Sequence, residues 1–221
     1  MSELRLRRTI RSSFTLISAL LITLASVFSS GSFESGFLSV SDAAAVFAGA
    51  VTGGIQGASS AGLFLLAGCA GLPVFPFNHS GSAFLSSPYG GYVCSCFFSA
   101  LVSGLICGKP SLREKPSMVS VWLRTAIAVL SSFAVYIAVS SIWEIAASDS
   151  DFYSVIIKNA RLLPFFCAKA SVCVPAAVFL RPPAAKLMYP EGEKALKEQE
   201  EIIQKIKEIK EKKANKKGGS R

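Results

Sequence analysis

The chain has 221 residues, of which 51% are hydrophobic and 17% charged, with a mean hydropathy of +0.48 and a formal net charge of +9. Soluble domains carry about a quarter charged residues, so this composition argues against a soluble globular enzyme. Nucleic-acid binding would fit the basic balance alone, but a basic surplus beside long apolar segments is typical of membrane proteins. We therefore expect a protein that lies in a lipid bilayer and binds no nucleic acid.

The charged residues are concentrated at the C-terminal end. Residues 181–221 hold 12 of the 23 basic residues and 7 of the 14 acidic ones, which leaves the first 180 residues more apolar than the average. The chain accordingly divides into a basic N-terminus (1–13), a membrane domain (14–188) and a charged C-terminal segment (189–221).

The apolar segments predict an all-α membrane protein with a bundle of six transmembrane helices. A spanning helix needs about 20 mainly apolar residues, and two of the segments are short, rich in small residues and joined by a Gly-Gly-Ile-Gln-Gly turn at residues 53–57. The sixth contains two prolines, which a membrane helix tolerates when its neighbours satisfy the freed carbonyl groups. In chain order the expected spans are Phe14–Phe28, Ala43–Thr52, Ser59–Leu72, Tyr92–Cys107, Val119–Ala147 and Tyr153–Leu180.

The charges in the connecting segments predict the orientation. With a cytoplasmic N-terminus, three of the four inside segments are basic: the N-terminus, the 108–118 loop and the tail from Arg181. The outside segments are acidic or uncharged. Because cytoplasmic loops carry an excess of Lys and Arg, we expect both termini to be cytoplasmic, in the inner membrane of a bacterial cell.

The first segment has two interpretations. Its basic start, apolar stretch and Ser29-Ser30-Gly31 sequence also fit a cleaved signal peptide. Thr15, Ala19 and Thr23, spaced at four-residue intervals, form a stripe of small residues through which another helix can approach closely. The stripe favours a retained helix, and packing within the protein explains it equally well.

The charged tail predicts a separate cytoplasmic helix over residues 191–213, about 35 Å long at 1.5 Å per residue. Apolar residues mark one face at helical spacing between groups of Glu and Lys. A solvated helix stabilised by Glu/Lys pairs is one interpretation. Contact with anionic lipids or with a cytoplasmic partner is the other.

Enzymatic motifs are absent from the sequence. The six cysteines form no C-x-x-C pair and there is one histidine, so we expect neither a metal site nor a cofactor. No G-x-x-x-x-G-K-[ST] phosphate-binding loop and no G-x-S-x-G motif is present. We expect a protein that is not an enzyme.

The most informative stretch is a long uncharged loop between the third and fourth spans. It begins Gly71-Leu72-Pro73-Val74-Phe75 and ends Pro88-Tyr89-Gly90-Gly91-Tyr92, thirteen residues beyond Phe75. Loops of this length in compact proteins are more often functional than plain connections.

This two-part motif, with Val46-Phe47-Ala48-Gly49 before it and Leu163-Pro164-Phe165-Phe166 after it, resembles the BioY family. BioY proteins are biotin-binding S-components of energy-coupling-factor (ECF) transporters. The resemblance implies a six-helix bundle that captures biotin at the outer face and works with a transmembrane coupling protein and two ATPase subunits. It also implies that the small-residue stripe Thr15, Ala19, Thr23 meets the coupling subunit.

The resemblance and the chemistry of biotin suggest candidate site residues. Asn78 is a candidate for the ureido group, Tyr89 and Tyr92 for the rings, and Gly90 and Gly91 for close backbone approach. A cation inside the sixth span would bind the carboxylate, because charged residues within spans are functional candidates. Lys169, Arg161 and Lys158 are the possible cations, and Asp42 and Glu144 their possible partners.

The sequence departs from the family at the ligand site. The family shows a pattern like Pro-Gly-Asp-x-x-Lys after Pro-Phe, whereas Lys169 occupies the Asp position here and Val172 the Lys position. Either Lys169 supplies the cation from a shifted position, or the substrate is another small anionic or vitamin-like molecule. A structural or assembly membrane protein that recruits a partner through its C-terminal helix is the alternative from another class.

Overall fold

The computed structural model describes residues 2–28, 40–112, 114–115, 117–148 and 151–189. These residues are helical, with no strand among them and one isolated antiparallel bridge between Phe75 and His79. The predicted tail helix at 191–213 lies outside the described residues. The helices are α1 Ser2–Val27, α2 Ser41–Thr52, α3 Gly54–Cys69, α4 Ser82–Leu85, α5 Gly90–Cys107, α6 Val119–Ser148 and α7 Phe152–Met188.

Among the described residues, four helices are long and apolar enough to cross a membrane: α5, α6, α7 and the Thr9–Val27 part of α1. The predicted second and third spans correspond to α2 and α3, which have only 12 and 16 residues. At 1.5 Å per residue these helices are about 18 and 24 Å long, shorter than the roughly 30 Å hydrocarbon core. The number of six spans therefore stays a prediction.

The helices run alternately up and down, so the bundle has two ends. We call the end that carries residues 70–89 the loop end, and the opposite end, which carries residues 108–118, the Arg181 end. α5 lies at the centre and packs against α6, α2 and α3, while α1 packs against α3 and α2. α7 packs against α6 and α2.

The predicted five-residue turn between α2 and α3 is shorter in the structure. Only Gly53 lies outside the two helices, with φ +68° and ψ 165°, a conformation that favours glycine. A Cβ atom on Gly53 would lie 2.0 Å from the carbonyl oxygen of Gly108. The turn therefore packs directly against the end of α5, and the helix resumes at Gly54.

Small residues let α2 and α5 approach backbone to backbone, as is common in membrane bundles. A Cβ atom on Gly49 would lie 2.3 Å from the Ala100 carbonyl oxygen. Ser103 Oγ donates a hydrogen bond to the Val46 carbonyl oxygen at 2.9 Å. The pair of helices is thereby fixed at a short separation, and α2 is almost wholly buried.

α2 begins deep in the bundle and runs parallel to α7. Its first turn lies beside Lys169, through Asp42, and its last turn beside Arg181, through Ala50. Lys169 is the eighteenth residue of α7, so the first part of α7 extends about 25 Å beyond the start of α2 at 1.5 Å per residue. The N-terminus of α2 therefore faces the interior of the loop-end half.

Arg181 joins α2, α5, α7 and the 108–118 loop at the Arg181 end. It is 2% exposed, and its guanidinium donates to both carboxylate oxygens of Glu114, at 2.7 and 3.1 Å. It also donates to the carbonyl oxygens of Ala50, Cys107 and Gly108. This anchor explains why α7 continues past Leu180, where the sequence predicted its end, through two prolines to Met188.

Candidate functional site

The deepest charged group on the loop-end side is an ion pair between α2 and α7. Lys169 Nζ lies 2.8 and 3.1 Å from the two carboxylate oxygens of Asp42. Asp42 is 1% exposed, and one of its oxygens accepts the backbone N–H of Ala43 at 2.7 Å. A carboxylate in the first turn of a helix is stabilised by the helix dipole. The structure thus pairs the predicted cation Lys169 with one of its two predicted partners.

An aromatic layer lies next to this pair, on its loop-end side. The ammonium of Lys169 is 5.1 Å from the centroid of the Phe166 ring, within the range of a cation–π contact. The Phe166 ring contacts Phe133 and Tyr136, with centroid distances of 5.3 and 5.9 Å. The centroid of the Tyr136 ring in turn lies 6.4 Å from that of the Tyr92 ring. Rings from α5, α6 and α7 therefore form one connected apolar surface above a buried charge.

A second polar cluster lies nearer the loop end and also joins α5, α6 and α7. The Tyr92 hydroxyl donates to one oxygen of Glu144 at 2.9 Å, and Lys158 Nζ donates to the other at 2.9 Å. Lys158 Nζ also lies 5.7 Å from the centroid of the Tyr92 ring. We call Tyr92, Glu144 and Lys158 the upper cluster, and Asp42 with Lys169 the deep pair.

The loop at residues 70–89 folds over the end of α3. Phe75 is fully buried, and its ring packs against Gly68, where any Cβ atom would lie about 2.1 Å from it. Phe84 stacks between Phe75 and His79, at 5.4 and 5.0 Å. The predicted site residue Asn78 is exposed and has a positive φ of 59°. The loop is thus held by its phenylalanines, with Asn78 at its surface.

The loop continues into α5 through tightly packed glycines. A Cβ atom on Gly90 would lie 2.0 Å from the Leu85 carbonyl oxygen, and one on Gly91 would lie 2.4 Å from Trp143 Cβ. The Trp143 indole donates to the Ser87 carbonyl oxygen at 3.2 Å. The close approach that we predicted at Gly90 and Gly91 is therefore made to the protein's own loop and to α6.

The remaining predicted residues lie farther apart. Tyr89 is 39% exposed at the end of the loop. Arg161 is exposed on α7 and lines a cleft of about 580 Å³ at the loop end, together with Lys158 and Asp151. Lys158, Arg161 and Lys169 follow one another along α7, from the open cleft toward the deep pair.

The small-residue stripe on α1 faces the bundle. Ala19 is 8% exposed, and Thr15 and Thr23 are half-buried, with hydroxyls that donate to carbonyl oxygens of their own helix. The exposed side of α1 carries leucines, including Leu16 and Leu20. An external helix would therefore meet these leucines before it met Ala19.

The sequence analysis missed Tyr136 and Phe166 as members of the aromatic layer. A tyrosine in the middle of an apolar span is a signal, since a buried hydroxyl group requires a polar neighbour and therefore an inward-facing position. Phe166 belongs to the Leu163-Pro164-Phe165-Phe166 motif, which gave no indication that its ring lies in the bundle interior. Glu114 was also missed, although it is the acidic residue of an otherwise basic loop.

Comparisons with known proteins place the chain in a family. Residues 2–188 match the model of the BioY family. The biotin transporter BioY of Lactococcus lactis subsp. cremoris (strain MG1363) is 28% identical over 130 residues, which cover 58% of this chain and 67% of that protein.

A solved structure has a similar fold, with a TM-score of 0.66 at 21% identity; the match covers 79% of this chain and 92% of the other. It is the S-component for biotin from an ECF-type ABC transporter. Because the family model spans most of the sequence, the chain belongs to the BioY family, and it is a membrane transport protein and not an enzyme.

Proposed function

We propose that this protein is the substrate-binding S-component of an ECF transporter and that it captures biotin at the loop end. The observation that carries the proposal is the deep pair, Asp42 with Lys169, buried directly below an aromatic layer in a chain of the BioY family. Small-molecule sites combine an apolar wall with a few fixed polar groups. The two named relatives are a biotin transporter and an S-component for biotin.

The deep pair supplies an aspartate and a lysine in place of those that the family pattern has on the last helix. The resemblance implies an aspartate and a lysine on the last helix at the ligand site, and Val172 removes that lysine here. In this chain Lys169 on α7 and Asp42 on α2 bring the same two charges together at 2.8 Å. A ureido group has both N–H donors and a carbonyl acceptor, so a carboxylate and an ammonium side by side suit it.

The proposed topology has six spans, with both termini in the cytoplasm of a bacterial cell and the loop end outside. Basic residues at the Arg181 end support this orientation, since cytoplasmic segments carry excess Lys and Arg. A retained α1 is supported by its packing, because Ile22 is fully buried against the rest of the bundle. In this arrangement α2 and α3 form a hairpin whose turn at Gly53 lies at the cytoplasmic side, against the end of α5.

We assign the transmembrane coupling protein and two ATPase subunits as partners, on the basis of the ECF label of the solved relative. The coupling protein would contact α1, through Thr15, Ala19 and Thr23 where they are accessible and through the exposed leucines beside them. We propose that the charged C-terminal segment contacts anionic lipids or one of these partners.

The test is equilibrium binding of labelled biotin to the purified chain in lipid nanodiscs. We expect saturable binding by the wild type and loss of binding by the double variant Asp42→Asn/Lys169→Met, which removes both charges and so leaves no unpaired buried charge. Lys186→Met, an exposed lysine near the other end of α7, is the matched control and should bind as the wild type does.

Wild-type protein that is folded but fails to bind biotin at micromolar concentrations would overturn the substrate assignment. A competition series with other small anionic vitamins then distinguishes an S-component of different specificity from an assembly protein, which would bind none of them. Asn78→Ala is a second variant for the same assay, because Asn78 lies exposed on the loop.

A further inference from the structure

The upper cluster differs from the deep pair in how firmly its lysine is held. The side chain of Lys158 is 27% exposed. That of Lys169 is 13% exposed and donates to both carboxylate oxygens of Asp42, which is fully buried. An ion pair that is partly exposed contributes little to stability, so the loss of one partner to a competing anion has a small cost. A pair that is fully buried is costly to break, because the remaining charge has no partner.

Lys158 also lines the open cleft at the loop end, and Lys169 does not. This cleft, of about 580 Å³, falls within the range of small-molecule sites. Its charged groups are Lys158, Arg161 and Asp151, and Glu144 lies directly behind Lys158. Two cations and two carboxylates therefore balance before any ligand enters. An incoming anion must compete with Glu144 for the Lys158 ammonium.

We infer that Lys158 binds the carboxylate of the substrate, and that Glu144 holds this ammonium in place until the substrate arrives. The inference rests on the proposed function and names the residue that selects an acid over its neutral analogue. Glu144 keeps the hydrogen bond from Tyr92 after the exchange, so the α5–α6 contact survives binding. The substrate adds a third carboxylate to those of Asp151 and Glu144, and Arg161 in the same cleft is then the second cation beside Lys158.

The spacing of the two lysines suits a substrate that is polar at both ends. Lys158 and Lys169 are eleven residues apart on α7, about 16 Å along the axis and on the same face of the helix. The aromatic layer of Tyr136 and Phe166 lies in that interval. A ureido ring at the deep pair, an apolar chain along the rings and a carboxylate at Lys158 would use all three features.

The experiment compares biotin with biotinamide, which lacks only the negative charge, in binding to the full chain in nanodiscs. Wild type should prefer biotin. Lys158→Met should weaken biotin binding about 10- to 100-fold, the usual weight of a charge-assisted hydrogen bond, and leave biotinamide binding unchanged. Lys186→Met should preserve the preference.

Glu144→Gln gives the opposite result and separates exchange from a structural role. It removes the competing charge and keeps an acceptor for Tyr92, so the affinity for biotin should rise while that for biotinamide stays the same. Three results would each overturn the inference alone. Lys158→Met could lower the affinity for both ligands equally or for neither, or the wild type could show no preference for biotin. The third result is a Glu144→Gln protein that binds biotin less tightly than the wild type does. A folded wild type that binds neither ligand overturns the proposed function as well.

Discussion

Two buried ion pairs lie along α7, and they are satisfied in different ways. At the Arg181 end, Arg181 makes five hydrogen bonds, two to Glu114 and three to backbone carbonyl oxygens. At the deep pair, Lys169 bonds to Asp42 and contacts an aromatic ring. Three of the five bonds of Arg181 go to backbone carbonyl oxygens of α2 and the end of α5, whereas both hydrogen bonds from Lys169 to Asp42 go to a side chain.

The difference indicates different roles. The bonds of Arg181 connect two helices, a loop and α7, so they fix how the elements are arranged. The deep pair lies next to the aromatic layer, and under the proposed function its charges bind the substrate. Under the proposed function, buried charges on one helix therefore serve the fold at one end and the ligand at the other, and the type of partner differs between the two.

The largest effect is expected when the structural pair is broken. Arg181→Met removes the two hydrogen bonds to the Glu114 carboxylate and three to backbone carbonyl oxygens, and we expect a loss of about 5 kcal/mol in the free energy of unfolding, the upper end for a buried pair. Thermal unfolding in nanodiscs measures it. Arg124→Met, at a half-exposed arginine that bonds to the same end of α5, should cost far less. The comparison fails if the folded fraction of Arg181→Met has a changed affinity for biotin.

The deep pair should separate stability from binding. Asp42→Asn alone leaves an uncompensated ammonium and should cost about 3 kcal/mol. The double variant Asp42→Asn/Lys169→Met should regain most of that stability and still not bind biotin. Unfolding and binding assays on the wild type, Asp42→Asn, Lys169→Met and the double variant form one double-mutant cycle. Full biotin binding by the double variant would show that this pair, like Arg181, is structural.

Packing at the loop end should have a smaller effect. Gly91→Ala places a methyl group 2.4 Å from Trp143 Cβ, and we expect a destabilisation of about 2 kcal/mol from overpacking, with weaker binding because the 70–89 loop is attached to Trp143. Gly62→Ala, whose new methyl would meet only Phe97 at 3.6 Å, should be neutral or stabilise by up to about 1 kcal/mol, because alanine favours helix. Equal melting temperatures for the two variants would contradict this account.

The positions of the helices were predictable from the sequence because the apolar segments and the Gly and Pro residues between them indicate the same boundaries. α5 and α6 begin and end within two residues of the expected spans. The end of α7 was predicted too early, since Pro182 and Pro183 normally stop a helix, and only the tertiary bonds of Arg181 explain its continuation. The short α2 was predicted as Ala43–Thr52 and begins two residues earlier, at Ser41; the contact of its first turn with Lys169 is again tertiary.

The candidate site was predictable in its charges and not in its partners. Charged residues within spans identified Lys169, Lys158, Arg161 and Glu144 as candidates, because such residues need partners in a bilayer. Asp42, just before the second predicted span, was a possible partner. Which cation meets which carboxylate depends on how α2 and α6 lie against α7, and no spacing within one helix determines this. The aromatic layer likewise combines rings from three helices.

The smallest effect on stability is expected on the outer side of α1, where the protein's own packing ends. Leu16→Ala/Leu20→Ala changes two exposed leucines, so the free energy of unfolding should stay within about 0.5 kcal/mol of wild type. Co-purification with a coupling protein should fall about 10-fold if this face makes the contact. Leu123→Ala/Leu130→Ala, at equally exposed positions on α6, is the control and should assemble normally.

Ala19→Leu makes the corresponding change on the buried side of the same helix. It should reduce both assembly and stability, because Ala19 packs within the bundle and overpacking a close contact costs about 1–3 kcal/mol. The pair of experiments tests whether α1 resembles the Arg181 end, where residues serve the fold, or the deep pair, where they serve a ligand or partner. Normal assembly of Leu16→Ala/Leu20→Ala would limit α1 to the first of these roles.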